Sequence, residues 1–575
     1  MQKENNFEAA DFLKIGFYIG LASLVWNLPT LGNNLMPRNF MAWFGIILIS
    51  CLVLGFSSFQ KKLVFDKTLA LLFIPPLAFL IHGLVFPPVE TMSYYMWLAM
   101  GITLFFAFYV LALMQVHHAH KVWLDISNLM GAVLLVQILV SEIFPLFSFG
   151  TFVLEFLPIE LKGAQAGFQQ QNLLVTFAVT AAFWMWALRI KFSEHRWASW
   201  IFILIFNATV TYVVLKYDSR VGYISYLIGI SLLTIYLFKC KYNRIFYSPI
   251  LGFVIGISLY IFSTINDQQE VSNQISLISG DDGGSTSFRL STWYVSILSG
   301  LKNVFWGHGL GNFSSAYYET FAAYKINNPN SIFLSGLAHP HNEILLHWVE
   351  MGLWGLFLVI TPYVVFLLKI VLQKSSNTLL LIICLLPVGL HSQTEMVLHA
   401  SGAHWMLVGL VLASLPTKQS VTLISLPRYS YFGLSILGAF GLYTTFSTAL
   451  VANSAWQSNA NANAADNFGL HLKRLTSGPE LSHWIMKTDT NDRVIKTMMA
   501  YAINTKNLPA IRKFLPRLVD QNSRWQHRDG WAMIAQAYLM LGDYEAYKLH
   551  ISKIKALEPT FVEYLEKEFN VRLDN

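Results

Sequence analysis

One histidine and two arginines carry the strongest chemical signal in this chain. His341 stands in "HPHNEILLHWVEMGLWG" (339–355), at the mouth of a long apolar run, with Pro340 permitting a turn before it and Asn342 suited to cap a helix after it. An imidazole titrates near neutral pH and can accept a proton from an attacking hydroxyl. Arg220 lies in "YDSRVG" and Arg289 in "FRLSTW". Two guanidinium groups offer planar donor forks to a doubly charged anion, for which a diphosphate is the natural candidate. Other polar residues gather beside other apolar runs: Gln170 and Asn172 in "AGFQQQNLL", and His391, Ser392 and Glu395 in "HSQTEMVLHASGAHW".

Each of these has a plainer explanation in isolation. The glutamines and Asn172 suit a helix cap, Arg220 can snorkel to a membrane interface or pair with Asp218, and His391 with Glu395 suits a hydrogen-bonded pair at a helix end. His339, His341, Glu343 and His347 raise metal binding as a rival chemistry. The H-E-x-x-H pairing of zinc hydrolases is absent, and the step from His341 to His347 turns the two side chains to opposite faces of a helix. No metal is expected.

Membrane helices must position these groups. Of 575 residues, 55% are apolar and 12% charged, against roughly 25% charged in ordinary soluble domains. Apolar runs of about 17 to 22 residues, enough to cross a hydrocarbon core of roughly 30 Å as helices, recur as far as position 451. They predict an all-α polytopic protein with about thirteen spans, at 12–28, 40–56, 69–86, 94–114, 128–147, 172–190, 199–217, 221–238, 249–265, 344–368, 377–391, 400–416 and 430–451.

Lys and Arg concentrate in cytoplasmic loops. Segments on the side of the N-terminus collect Lys61, Lys62, Lys67, Arg189, Lys191, Arg196, Lys239, Lys241 and Arg244 among others. The opposite segments, longer in sum, hold Arg38, Lys162, Lys216, Arg220, Arg289, Lys302 and Lys325. The N-terminus is therefore expected in the cytoplasm, without a cleaved signal peptide, and an odd number of spans puts everything after residue 452 outside. On this topology the uncommon polar residues named above fall at outer helix ends. The net charge of +7 is explained by the inner loops, and no clustered basic motif points to nucleic acid. Cys51, Cys240 and Cys384 lie in or beside apolar spans and staple no exterior domain.

Four regions follow. Residues 1–265 hold spans one to nine, and 266–343 form a long outer loop, polar at first and then aromatic and partly helical in period. Residues 344–452 hold spans ten to thirteen, and 453–575 form an outer helical domain in which 531–559 resembles one tetratricopeptide-like helix pair.

His341-Asn342, then nine residues, then Gly352-Leu353-Trp354-Gly355 matches the H-[NSQ]-x9-G-x-x-G pattern of the bacterial O-antigen ligase and protein O-oligosaccharyltransferase superfamily. "DSRVG", "FRLSTW…NVFWGHGLGNF" and "HSQTE" resemble its two arginine regions and its later outer loop. "GFQQQNLL" and the C-terminal extension look more like the PglL-type protein O-oligosaccharyltransferases, which often glycosylate pilins. The resemblance implies that Arg220 and Arg289 bind the diphosphate of an undecaprenyl-linked glycan and that His341 is the base. Gln170, Asn172, Asn342, His391 and Glu395 are supporting candidates, and no cofactor is implied. Two departures are visible: the family's Q-P-N reads Gln170-Gln171-Asn172 here, and a proline and tyrosine common after the glutamate are replaced by Val397, His399 and Ala400.

The activity expected is transfer of an oligosaccharide en bloc from undecaprenyl diphosphate to a Ser or Thr hydroxyl of an exported, pilin-like protein at the inner membrane. A lipopolysaccharide O-antigen ligase or glycan polymerase is the nearest alternative, differing only in acceptor. A lipid or solute transporter is the reading from another class. It calls for polar groups near the bilayer midplane, whereas here they lie at helix ends.

Overall fold

The computed structural model describes residues 9–25, 36–59, 63–65, 67–86, 93–116, 119–139, 171–192, 197–217, 219–240, 247–264, 285–331, 335–372, 378–415, 422–424, 433, 436–444, 487–524 and 526–569. The membrane part runs through α1 (Ala9–Val25), α2 (Met36–Phe59), a 3₁₀ stretch (Lys67–Phe73) leading into α3 (Ile74–Val85), α4 (Ser93–Met114), α5 (His120–Ile138), α6 (Gln171–Lys191), α7 (Trp197–Lys216), α8 (Arg220–Lys239) and α9 (Ser248–Thr264). Then come α10 (Ser285–Lys302), α11 (Phe313–Asn327), α12 (Glu343–Gly355), α13 (Thr361–Leu372), α14 (Thr378–His391), α15 (Val397–Ala400) and α16 (Gly402–Ser414). The tail holds α17 (Lys487–Asn504), α18 (Leu508–Arg524), α19 (Arg528–Leu541), α20 (Tyr544–Leu557) and α21 (Pro559–Phe569).

Helix occurs within each predicted run. Five helical segments, Thr68–Val85, Gln171–Lys191, Trp197–Lys216, Arg220–Lys239 and Glu343–Lys369, are long and apolar enough to cross a membrane, and shorter apolar helices accompany them. The fifth helix begins earlier than predicted. It starts at His120 rather than at 128 and so takes in Lys121 and Asp125; residues 140–147 lie outside the described set. Hydropathy alone rejects those charges, but Asp125 is paired with Lys14 of α1 at 3.2 Å.

The chain divides into two compact units. The first comprises Met1–Ile74, Ile102–Asp282 and Pro362–Ala449; the second comprises Pro75–Gly101, Gly283–Thr361 and Leu450–Asn575.

In the first unit α6 is the hub. Every residue from Leu173 to Ile190 is buried, as expected of a helix apolar on all sides, and α5, α7, α8, α14 and α16 pack around it. Small residues bring helices close. A Cβ on Gly229 of α8 would lie 2.3 Å from the Phe183 ring of α6, and one on Gly256 of α9 would lie 2.4 Å from Thr211 of α7. Three polar side chains inside the bundle partner one another and the backbone: the Tyr226 hydroxyl donates to Asn207 Oδ1 (2.9 Å) and meets Thr211 Oγ1 at 2.7 Å, and Asn207 Nδ2 donates to the Pro249 carbonyl (3.1 Å).

The two ends of α6, about 30 Å apart at 1.5 Å per residue, are chemically different. At the C-terminal end the buried Arg189 donates to Ser199 Oγ (2.9 Å), to the Met185 carbonyl (3.0 Å) and to Asn128, while Lys191 Nζ donates to the Ser414 carbonyl (2.6 Å). In the same unit a short antiparallel ribbon pairs Leu63–Phe65 (β1) with Thr422–Ile424 (β2). Both strands lie in loops assigned by sequence to one side of the membrane, and direct pairing requires that they share a side.

In the second unit α12 is broken, where the sequence predicted one continuous helix through 344–368. Gly352 has φ 63° and ψ −154°, a region open almost only to glycine. The break frees backbone groups on both sides, and the glycine-rich segment 304–309 takes them up. Leu353 and Trp354 N–H donate to the Val304 and Phe305 carbonyls (2.8 and 3.2 Å), and His308 and Gly309 N–H donate to the Val349 and Glu350 carbonyls (2.9 and 2.8 Å). Such non-helical backbone is tolerated in a membrane-spanning segment because protein covers it. Gly307, Gly309 and Gly311 all have positive φ, which "WGHGLGNF" supplies. Five residues of π-helix, Leu356–Ile360, then lead towards α13.

The tail is a helical array. Each of α17 to α21 packs on the next, and α17 and α19 each pack also on the helix after that, the nearest-neighbour pattern of helical repeats. The pair foreseen at 531–559 is α19 and α20, joined by Gly542 in the left-handed conformation and by Asp543, whose carboxylate accepts from Ala546 N–H. The polar connector after residue 452, up to 486, lies outside the described residues.

Candidate functional site

In the second unit the segment 335–342 is pinned along its length. The Leu337 N–H donates to the buried Tyr318 hydroxyl of α11 (2.7 Å). Trp293 Nε1 of α10 donates to the Pro340 carbonyl (3.0 Å). Asn342 Oδ1 accepts from the Leu345 N–H (3.0 Å), so Asn342 caps α12. Between these pins His341 takes φ 53°, a left-handed backbone uncommon for a side-chain-bearing residue and costing on the order of 1 kcal/mol. Its imidazole is half-buried and meets the rings of Phe288 and His339 edge-on, at centroid distances of 6.4 and 4.5 Å.

Arg289 is half-buried on α10, beside Phe288 and one helical turn before Trp293. Residues four apart share a helix face, so Arg289 occupies the face of α10 that lies along Pro340 and His341. The fold thus sets α10, through Phe288 and Trp293, against the segment that carries His341 and Asn342, with Arg289 between those two contacts in sequence. Two residues of this assembly carry no catalytic signature in the sequence. Tyr318 holds the His341 segment. Glu350, buried in α12, accepts from the Phe313 N–H (3.4 Å) and the Gly311 N–H, and so fixes the glycine loop and the start of α11 to α12. An acidic residue inside an apolar run was the available signal for Glu350; Tyr318 had none.

In the first unit the N-terminal ends of α6 and α8 meet the C-terminal end of α14. Ser219 Oγ accepts from the Gly222 N–H (3.2 Å) and caps α8, so that the exposed Arg220 opens that helix. The positive end of a helix and a guanidinium reinforce each other as an anion site. A Cβ on Gly222 would lie 2.4 Å from Val175 Cγ1, which sets Arg220 beside the first turns of α6. Asn172 is already helical there, and its carbonyl accepts from Thr176 Oγ1 (3.0 Å); the same hydroxyl meets Nδ1 of the buried His391. Buried Glu395 follows in the turn after α14, its N–H donating to the His391 carbonyl (2.8 Å). Asn172, Arg220, His391 and Glu395 therefore cluster at one end of the first unit, away from Arg189 and Lys191. Gln170 and Asp218 lie outside the described residues.

Arg220 belongs to the first unit, and Arg289 and His341 to the second. Of the rival metal set, His347 lies against Phe79, centroids 5.9 Å apart, and among the described residues no three His, Cys, Asp or Glu side chains are grouped to hold a metal ion.

A comparison with curated proteins finds no match to this chain. A family model described as O-antigen ligase matches residues 205–360, a stretch that includes Arg220, Arg289, His341, Asn342 and both glycines of the G-x-x-G motif but not Asn172, His391 or Glu395. Residues 205–360, within a chain rich in apolar helices, are thus similar to the O-antigen ligase family, which points to glycan transfer at a membrane.

Proposed function

We propose that this protein transfers an oligosaccharide en bloc from an undecaprenyl diphosphate carrier to a Ser or Thr hydroxyl of an exported, pilin-like protein, on the periplasmic side of the inner membrane. The hydroxyl oxygen attacks the anomeric carbon in line as the bond from that carbon to the diphosphate oxygen breaks. His341 takes the hydroxyl proton, and undecaprenyl diphosphate departs with the bonding electrons. Arg220 and Arg289 neutralise charge on the leaving group; oriented charges of this kind are worth a few kcal/mol of barrier each. Asn342 holds the start of α12, and Gln170, Asn172, His391 and Glu395 support the donor end. The scheme calls on no metal or cofactor.

The single observation carrying this reading is the left-handed His341, held by Trp293 and Asn342 on the face of α10 that bears Arg289. The helical array of the tail favours a protein acceptor, because stacked helix pairs offer an extended docking surface. The description of the matching family favours a second reading, ligation of the same donor to a lipid-borne sugar. Purified protein, a lipid-linked glycan and either a pilin-like protein or lipid A core separate the two. Glycan on the protein acceptor, lost in H341A of unchanged fold, is the expected result. Glycan found only on the lipid, or full activity of H341A, refutes the proposal.

A further inference from the structure

The segment carrying His341 begins at a turn that the tail grips from the other side. The Gly336 N–H donates to the Gln526 carbonyl (2.7 Å), and the Arg528 N–H donates to Ser335 Oγ (2.9 Å). Gly336 has φ 72°, and a Cβ there would lie 2.8 Å from the His527 ring. Three consecutive residues at the start of α19, Gln526, His527 and Arg528, thus close on two residues of the turn, five and six positions from His341.

What fixes those residues is an ion pair. Arg528 Nε donates to Glu558 Oε2 (3.0 Å), its Nη2 donates to Oε1, and its guanidinium packs over Phe561 at 5.7 Å. Glu558 is buried, so this bidentate pair is shielded on one side from solvent. Next to it Lys325 Nζ of α11 donates to the Leu557 carbonyl (2.6 Å). The pair ties the start of α19 to the end of α20, and through Ser335 and Gly336 it reaches the strap that Tyr318, Trp293 and Asn342 hold further along.

We propose that Arg528 and Glu558 are positioning residues for glycan transfer: by locking α19 against the Ser335–Gly336 turn, the C-terminal helical domain sets the placement of His341. This rests on the function proposed above. It gives the tail a role inside the reaction beyond that of an acceptor platform, since misplacing a reacting group by about 1 Å can cost on the order of a hundredfold in rate.

The test uses the full chain in lipid nanodiscs, comparing wild type with R528A, E558Q and S335A. Peptide-level hydrogen exchange is followed over 335–342, and steady-state transfer is measured with varied donor. The expected result is exchange at 335–342 faster by several-fold in R528A and S335A, with kcat down about tenfold and donor KM within about twofold. E558Q, which keeps one hydrogen bond of the pair, should fall between. S335A leaves the domain core untouched and serves if R528A fails to fold. Unchanged exchange at 335–342 in S335A and in folded R528A overturns the proposal. So does a kcat loss no larger than the loss of folded protein. Because exchange is read without substrate, absence of transfer by the wild type would count against the proposed function while the link between tail and turn is still judged.

Discussion

Replacing Gly352 by alanine should be among the most damaging single-methyl changes available in this chain. The position has φ 63° and ψ −154°, which costs a residue with a side chain about 1–3 kcal/mol. The added Cβ would lie 2.5 Å from the Phe305 carbonyl carbon and 2.6 Å from Trp306 N, atoms of the backbone that cannot rotate aside. Relief requires the 304–309 segment to move, which loosens the Leu353-to-Val304 and Trp354-to-Phe305 bonds; buried peptide groups left unpaired cost about 1–3 kcal/mol each. The expected loss is therefore about 3–9 kcal/mol in all, with the upper end reached only if both bonds break outright. Gly389, with nothing within 4 Å of its would-be Cβ, is the matched control, and G389A should be neutral or slightly stabilising. Thermal unfolding in detergent, followed by tryptophan fluorescence, should show G352A unfolding many degrees below wild type and G389A close to it. Equal stability of G352A and G389A would refute the reasoning.

Three further outcomes follow from the geometry. W293F keeps an aromatic ring, smaller than the indole, but loses the bond to the Pro340 carbonyl, and glycan transfer should fall several-fold with little change in unfolding temperature; unchanged transfer would show that this pin does not matter. N128L removes a partner of the buried Arg189 and should destabilise by about 3 kcal/mol, seen as a lowered unfolding midpoint, while N128L combined with R189L should recover part of that loss. Burial pushes the His550 imidazole down to about 4, against an opposing bond to the Trp531 carbonyl. Its unfolded value lies higher, near 6.5, so the neutral folded form is favoured fully above that pH and loses up to about 3 kcal/mol as pH falls towards 4. Hydrogen exchange over 528–557 should accelerate in that window, and H550F should flatten the dependence.

The membrane spans were legible because long apolar runs admit few other structures, and the ends of α6 to α9 differ from the reading by only one or two residues. The start of α5 was missed because Asp125 looks costly in sequence, whereas Lys14, more than a hundred positions away, relieves it. The role of Asn342 was legible because a cap is local. The break at Gly352 was not, since G-x-x-G inside an apolar run reads equally well as close helix packing, and the partner that permits the break lies at 304–309. Arg289 and His341 could be matched by pattern, but nothing local announces Tyr318 or the grip of Gln526 and Arg528 on a turn some 190 residues earlier. Long-range partners of irregular segments leave no periodicity to read.

The complete enclosure of α6 also constrains how the protein is made. α5, α7 and α8 emerge from the ribosome close to α6 in time, but Ser414, which takes the Trp184 indole (2.8 Å) and Lys191, is synthesised more than two hundred residues later. Until then one flank of α6, with an indole N–H and an ammonium seeking acceptors, faces lipid or the insertion machinery. Nascent chains arrested before α14 should therefore be the ones that quality-control proteases recognise, and release past α16 should mark the point at which the chain escapes them.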